Sequence, residues 1–271
     1  MKEGSYKATK YKTDYKPVVI YLSVRVKKVP FSLTIGVYDH KRANTAFFVR
    51  NEDFTEREIA DYTIQLPFTT DEFTFVLFSK DEKLKIDEYI DITRYEVKDF
   101  SVAPPNLSEK EQEIVNSVVK FSMMAGYLQP SSYKYAKKYE IRLLPKILTD
   151  LGSEHVTPAR IHVEEGFIEV SKNKFDKKTV PRRIAILLHE FAHNYINKDQ
   201  NDEEEADYNA ARLYMAMGLP RSEFIYAFSK AFKNYSEADF DKLIQNTGWA
   251  SNYEANAERL KKAYNYLEQN K

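Results

Sequence analysis

Residues 179–210 read TVPRRIAILLHEFAHNYINKDQNDEEEADYNA, and the fold of the second half of the chain turns on how that stretch is read. Thr179-Val180-Pro181 has the form of a helix start, because proline is tolerated in a first turn whose N–H groups have no intrahelical partner. The helix it opens carries Ile184, Leu187 and Leu188 and then His189-Glu190-Phe191-Ala192-His193. Two histidines four apart lie one above the other on a helix face. Their ring nitrogens can therefore converge on one ion at the roughly 2.0–2.1 Å that zinc requires. Glu190 sits about 100° further round the helix, where it can reach a water at the ion without being a ligand. A chain of this composition would show H-E-x-x-H by chance about 0.008 times, so coincidence is a poor explanation.

A catalytic zinc takes three protein ligands and leaves one position open. The segment that follows, Asp202-Glu203-Glu204-Glu205-Ala206-Asp207-Tyr208-Asn209-Ala210, offers a third. If it is helical, Glu203 and Asp207 share one face, while Ala206 and Ala210 share the next and let two helices approach closely. Asp207 would then accept a hydrogen bond from a ligand histidine and fix its tautomer. Acidic residues at a helix start also suit the helix dipole, so spacing alone leaves Glu203, Glu204 and Glu205 open as the third ligand.

The bulk composition narrows the chemistry. The 271 residues include no cysteine, which excludes disulfide frameworks and thiolate sites and leaves histidine and carboxylate to hold any metal. Lys plus Arg and Asp plus Glu are 41 each, so there is no global electrostatic case for a nucleic-acid partner. Residues 1–17 lack the apolar segment of a signal peptide, and apolar runs such as 184–188 are too short to cross a bilayer. The expectation is a protein with no membrane span, cytoplasmic or part of a soluble assembly.

The first hundred residues follow a period of two. Val18, Ile20, Leu22, Val24 and Val26 would share a face, as would Phe31, Leu33, Ile35 and Val37, then Tyr62, Ile64 and Leu66, then Phe73, Phe75 and Leu77, with a weaker trace around Leu84 and Ile86. Six or seven short strands separated by turn segments predict an antiparallel sandwich over residues 17–103. The basic stretch 1–16 reads as a solvated tail. Ala103-Pro104-Pro105-Asn106 marks a linker at 104–108, after which Ser108 and Glu111 have capping-box spacing. Ile114, Val118, Phe121 and Ala125 then lie on one helical face. Tyr139, Leu143, Ile147 and Leu151 suit a helix that Pro145 would kink, and 160–164 with 167–171 read as a hairpin.

Residues 189–193 and 203–207 together resemble the gluzincin clan of zinc metallopeptidases, in particular the HtpX-like and CAAX-prenyl endopeptidases, which place H-E-x-x-H on one helix and E-x-x-x-D on a later one. The resemblance covers residues 110–270 and implies zinc ligands His189, His193 and Glu203, one zinc per chain, with Glu190 as general base and acid and Asp207 as the partner of a ligand histidine. It implies a two-domain chain: the β-sandwich, then an α+β zincin-like metallopeptidase domain at 109–271, mainly helical with a small sheet. Residues 159–163 and 166–170 are similar to the sheet edge that lines the family's substrate cleft. Gly218-Leu219-Pro220 with Phe224, Ile225, Phe228 and Phe232 resembles the segment after the glutamate helix. The chain departs from the family in lacking its membrane helices, in a very short connection between His193 and Glu203, and in having Gly248-Trp249-Ala250-Ser251-Asn252-Tyr253 where a His-Pro element is expected. The short connection also resembles the ImmA/IrrE-like metallopeptidases, the second choice, which imply the same metal site.

The function these residues imply is a soluble zinc-dependent endopeptidase acting on protein or peptide substrates, whose N-terminal β domain recruits a substrate or protein partner. The alternative is an assembly component of a larger particle that keeps the fold as a scaffold. A third reading makes the β domain a binding module with an appended autoprocessing domain. Candidates for an oxyanion or substrate contact are Tyr253, Arg259 and His162. For His162, at an alternating strand position, a hydrogen-bonded structural role is the plainer reading.

Overall fold

The computed structural model describes residues 6–42, 44–79, 81, 83–101, 106–149 and 151–220, with 223, 224 and 227 beyond them. The chain divides into two compact units, Met1–Pro104 and Pro105–Lys271. No helix among the described residues is long and apolar enough to cross a membrane.

The first unit runs β1 (Tyr6–Lys12), β2 (Val18–Val26), β3 (Phe31–Asp39), β4 (Ala46–Phe54), β5 (Ile59–Leu66), β6 (Glu72–Ser79), a single helical turn α1 (Ile86–Tyr89) and β7 (Ile90–Asp99). The strands form two antiparallel sheets, ordered β1-β6-β3-β4 and β5-β2-β7. Alternation puts Ile20, Leu22 and Val24 of β2, Leu33, Ile35 and Val37 of β3, and Phe73, Phe75 and Leu77 of β6 in the core. The sheets meet there, the Phe75 ring lying 4.9 Å from that of Tyr95 on β7.

Three segments of this unit differ from the sequence reading. Most of the expected N-terminal tail is strand β1: it completes the edge of β6 and stacks Tyr11 on Phe73 at 5.5 Å. Around Leu84 and Ile86 the chain makes α1, not a strand. Strand β7 escaped detection because its ladder with β2 slips by one residue between Ser23 and Val24. Ile90 and Ile92 face the core on one side of the slip and Tyr95 and Val97 on the other, so the period of two is broken.

The second unit contains α2 (Glu109–Met124), β8 (Ser131–Tyr135), β9 (Tyr139–Leu144), β10 (Ala159–His162), β11 (Phe167–Ser171), the short α3 (Lys172–Phe175), α4 (Val180–Tyr195) and α5 (Glu203–Ala216). The expectation of a mainly helical metallopeptidase domain is overturned: the chain is sheet-rich, with three sheets against five helices among the described residues. The third sheet is mixed, ordered β10-β11-β9-β8, with only β11 and β9 parallel. The expected helix at 139–151 is the source of the error. Tyr139, Ile141 and Leu143 also alternate, and all three are buried along β9. The turn before it gave no Asn-Gly signal, because Ala136 and Lys137 supply the two positive φ angles, 47° and 62°.

Helices α2 and α4 cover one face of this sheet. The Tyr139 ring lies 5.4 Å from Phe191 of α4, and Phe121 of α2 lies 6.2 Å from both Tyr133 and Tyr135. Helix α2 starts on the capping box of Ser108 and Glu111. Between the helices Arg183 of α4 is wholly buried. Its guanidinium donates to the backbone carbonyls of Ser122 (3.0 Å), Phe175 (3.0 Å) and Asp176 (3.1 Å), which end α2 and α3. Burial lowers its pKa to about 10, against support from Asp176. One cation thus satisfies the terminal carbonyls of two helices and ties both to the helix that carries the histidines.

Candidate metal centre

Helix α4 places His189 and His193 one turn apart near its C-terminal end, and α5 packs against it. Ala206 and Ala210 on α5 are fully buried and allow the close approach. The phase of α5 is set by Asp202, whose side chain accepts the Glu205 N–H at 2.9 Å and makes Glu203 the first helical residue. Glu203 consequently reaches the histidines: its Oε2 is 3.4 Å from His189 Nε2 and 3.7 Å from His193 Nε2. The two Nε2 atoms are 3.1 Å apart.

The other nitrogen of each imidazole is already engaged. His189 Nδ1 lies 2.9 Å from Asp207 Oδ1, one helical turn beyond Glu203, and Asp207 is buried. His193 Nδ1 lies 2.8 Å from the Gln200 backbone carbonyl. A carbonyl only accepts, so Nδ1 of His193 carries the proton and Nε2 presents a lone pair. Two Nε2 lone pairs facing each other at 3.1 Å repel unless a cation or proton lies between them. Burial alone would lower the His189 pKa, but hydrogen bonds to Asp207 and Glu203 and the charge of Glu190 outweigh it and raise it to about 10.

The donor set fits zinc. A tetrahedral ion with N and O ligands at about 2.05 Å sets its donor atoms about 3.3 Å apart, and the three distances here run from 3.1 to 3.7 Å. All three donors are of types zinc accepts, and each histidine has the outer hydrogen bond that orients a ligand ring. Half of the Glu203 side chain (52 %) remains exposed, so the group is reachable from solvent.

Glu190, next to His189, has its pKa raised by burial and by Glu203 against the lowering pull of His189, His193 and a hydrogen bond from the Ile161 N–H. Ile161 lies on β10, the end strand of its sheet, which packs against α4. Ser171 N–H donates to Pro158 C=O at 2.8 Å. The antiparallel alternation therefore turns the backbone groups of Ala159 and Ile161 away from β11, toward the edge with which no strand pairs among the described residues.

His162 is not part of this cluster. Its ring stacks on Phe167 at 4.3 Å and its Nε2 lies 3.1 Å from Glu169, within a charged row that includes Arg160. Tyr253 and Arg259, like Ile225, Phe228, Phe232 and residues 248–252, lie outside the described residues. Sequence reading missed the Gln200 carbonyl, a backbone group that no residue type announces, and Glu205, which spacing could not tell from its neighbours. No protein-family model matches the chain, and no curated protein matches it in sequence.

Proposed function

We propose that this chain is a zinc-dependent endopeptidase of the gluzincin type, acting on protein or peptide substrates. The observation that carries the reading is the triangle of His189 Nε2, His193 Nε2 and Glu203 Oε2, with both Nδ1 atoms engaged elsewhere. These three residues would hold the zinc, which when bound lowers the pKa of a water to about 7 and polarises a carbonyl. Glu190 is the proton carrier: its carboxylate takes a proton from the attacking water and delivers it to the departing amine. Such help contributes about 10²–10⁴ in rate. Its pKa is raised, first by burial, which makes the carboxylate a stronger base than one in water. Asp207 and the Gln200 carbonyl keep both rings in the coordinating tautomer. Among the described residues no strand pairs with the outer edge of β10, and its backbone groups not already used by Glu190 would accept an extended peptide.

The test is zinc per chain by plasma mass spectrometry, with peptide hydrolysis measured beside it. Wild type should hold one zinc, Glu190→Gln should keep it and lose at least 10²-fold in turnover, and His193→Ala should lose the metal. Peptidase turnover retained in Glu190→Gln would reject the role of Glu190. A zinc that stays bound with no hydrolysis by wild type would favour the scaffold reading.

A further inference from the structure

The connection between the two metal helices is short and heavily hydrogen-bonded. Ile196 and Asn197 N–H groups both return to the Ala192 carbonyl, at 3.0 and 2.8 Å, closing α4. The Glu205 carboxylate, in the first turn of α5, then accepts the Lys198 N–H at 2.9 Å and the Asp199 N–H at 3.4 Å through a single oxygen. Asn197 spans the loop, donating to the Asp202 carbonyl at 2.9 Å and accepting from Asn209 of α5 at 3.0 Å. Gln200 comes next, and its carbonyl is the group on His193 Nδ1.

We propose that Glu205 is a positioning residue for the metal centre, holding the 198–199 backbone so that the Gln200 carbonyl keeps His193 in the tautomer whose Nε2 can coordinate. The inference rests on the metal reading above and assigns work within the acidic triplet, Glu203 to the metal and Glu205 to the loop. The physical argument is one of leverage. Hydrogen bonds from N–H to a carboxylate are about twice as strong as neutral ones, and this carboxylate grips the two residues immediately before Gln200. If the grip is lost, the Gln200 carbonyl can swing from His193. The ring is then free to carry its proton on Nε2, and a protonated Nε2 has no lone pair to give. Outer hydrogen-bond partners of metal ligands typically carry about 10–100-fold in affinity.

The experiment uses the full chain loaded with cobalt(II), whose visible absorption reports coordination geometry, together with zinc affinity from competition with a chromophoric chelator. Glu205→Ala should weaken zinc at least tenfold and change the cobalt spectrum. Glu205→Gln, whose side-chain carbonyl still accepts from the loop, should recover most of both. Glu111→Gln, which loosens α5 from α2 well away from the loop, should lower the melting temperature and leave the spectrum alone. A wild-type spectrum and affinity in Glu205→Ala would overturn the proposal, as would a loss that Glu111→Gln reproduces. Failure of wild type to take up either metal would instead bring down the metal reading itself, and the role of Glu205 with it.

Discussion

Replacing Asp207 by asparagine tests whether the cluster is built for a metal or is merely a polar contact between two helices. Asp207 Oδ1 lies 2.9 Å from His189 Nδ1, and its side chain is 6 % exposed. A hydrogen bond to a charged partner in such a place is worth about 1.5–3 kcal/mol. Asparagine keeps the shape and removes the charge. It can also turn its amide so that the –NH₂ faces Nδ1, which would favour the tautomer with the proton on Nε2. Metal affinity should fall about 10–100-fold, equivalent to about 1.4–2.7 kcal/mol. Alanine, which leaves Nδ1–H buried with no acceptor, should lose at least as much. The assay is zinc competition against a chromophoric chelator at fixed pH, with circular dichroism to show that the fold is kept. Asn and Ala variants that both bind zinc within twofold of wild type would refute the reasoning, because His189 could not then depend on Asp207 for its orientation.

Two further outcomes follow from the second unit. Burial would raise the Glu111 pKa, but hydrogen bonds from Arg212 and from the Ser108 backbone and hydroxyl outweigh it and bring it to about 2. A folded pKa below the unfolded one gives stability that is complete above about pH 4.5 and is lost as pH falls toward 2, at most about 3 kcal/mol and less for the part open to water. Chemical denaturation across that window should show a steep loss in wild type and a flatter one in Glu111→Gln; parallel curves would dismiss the ion pair as a stabilising element. Removing zinc with a chelator should lower the melting temperature while preserving the far-ultraviolet circular dichroism spectrum, because binding to the native state stabilises by mass action; a chain that unfolds on chelation would contradict a preformed site.

What could be read in advance depended on the range of the interactions involved. The juxtaposition of His189 and His193 needs only helical periodicity and a helix start at Thr179, so five residues of sequence contain it. The choice of Glu203 among three glutamates needs the phase of α5, which Asp202 sets by capping the helix; the cap was visible as a residue type but not as a decision. The Gln200 carbonyl was invisible, since a backbone acceptor is placed by the path of the loop and not by its side chains. Errors in the fold have the same origin. At 139–151 helical and strand periods both fit the apolar residues. The tie is broken by a partner strand, β11, which pairs in parallel from more than twenty residues away. At 90–99 a bulge erased the period that would have revealed β7.

The way the second unit spends its polar groups argues for a site assembled before any ligand arrives. Arg183 fixes α4 to the ends of α2 and α3, Arg212 fixes α5 to the start of α2, and Asp202, Glu205 and Asn209 fix the connection between α4 and α5. None of these groups is a donor in the triangle, yet together they determine where its three corners lie. In small metal domains the ion itself drives folding because no other force holds the ligands together. Here that force is present in the packing of α4 on the sheet and in charged pairs outside the triangle. A metal would then add affinity and reactivity to an arrangement already formed. Such rigidity favours catalysis, since ligands held by packing need not reorganise as charge develops in the transition state. The same rigidity means that substitutions at Glu205 or Asp207 should register in metal affinity and geometry well before they register in the fold.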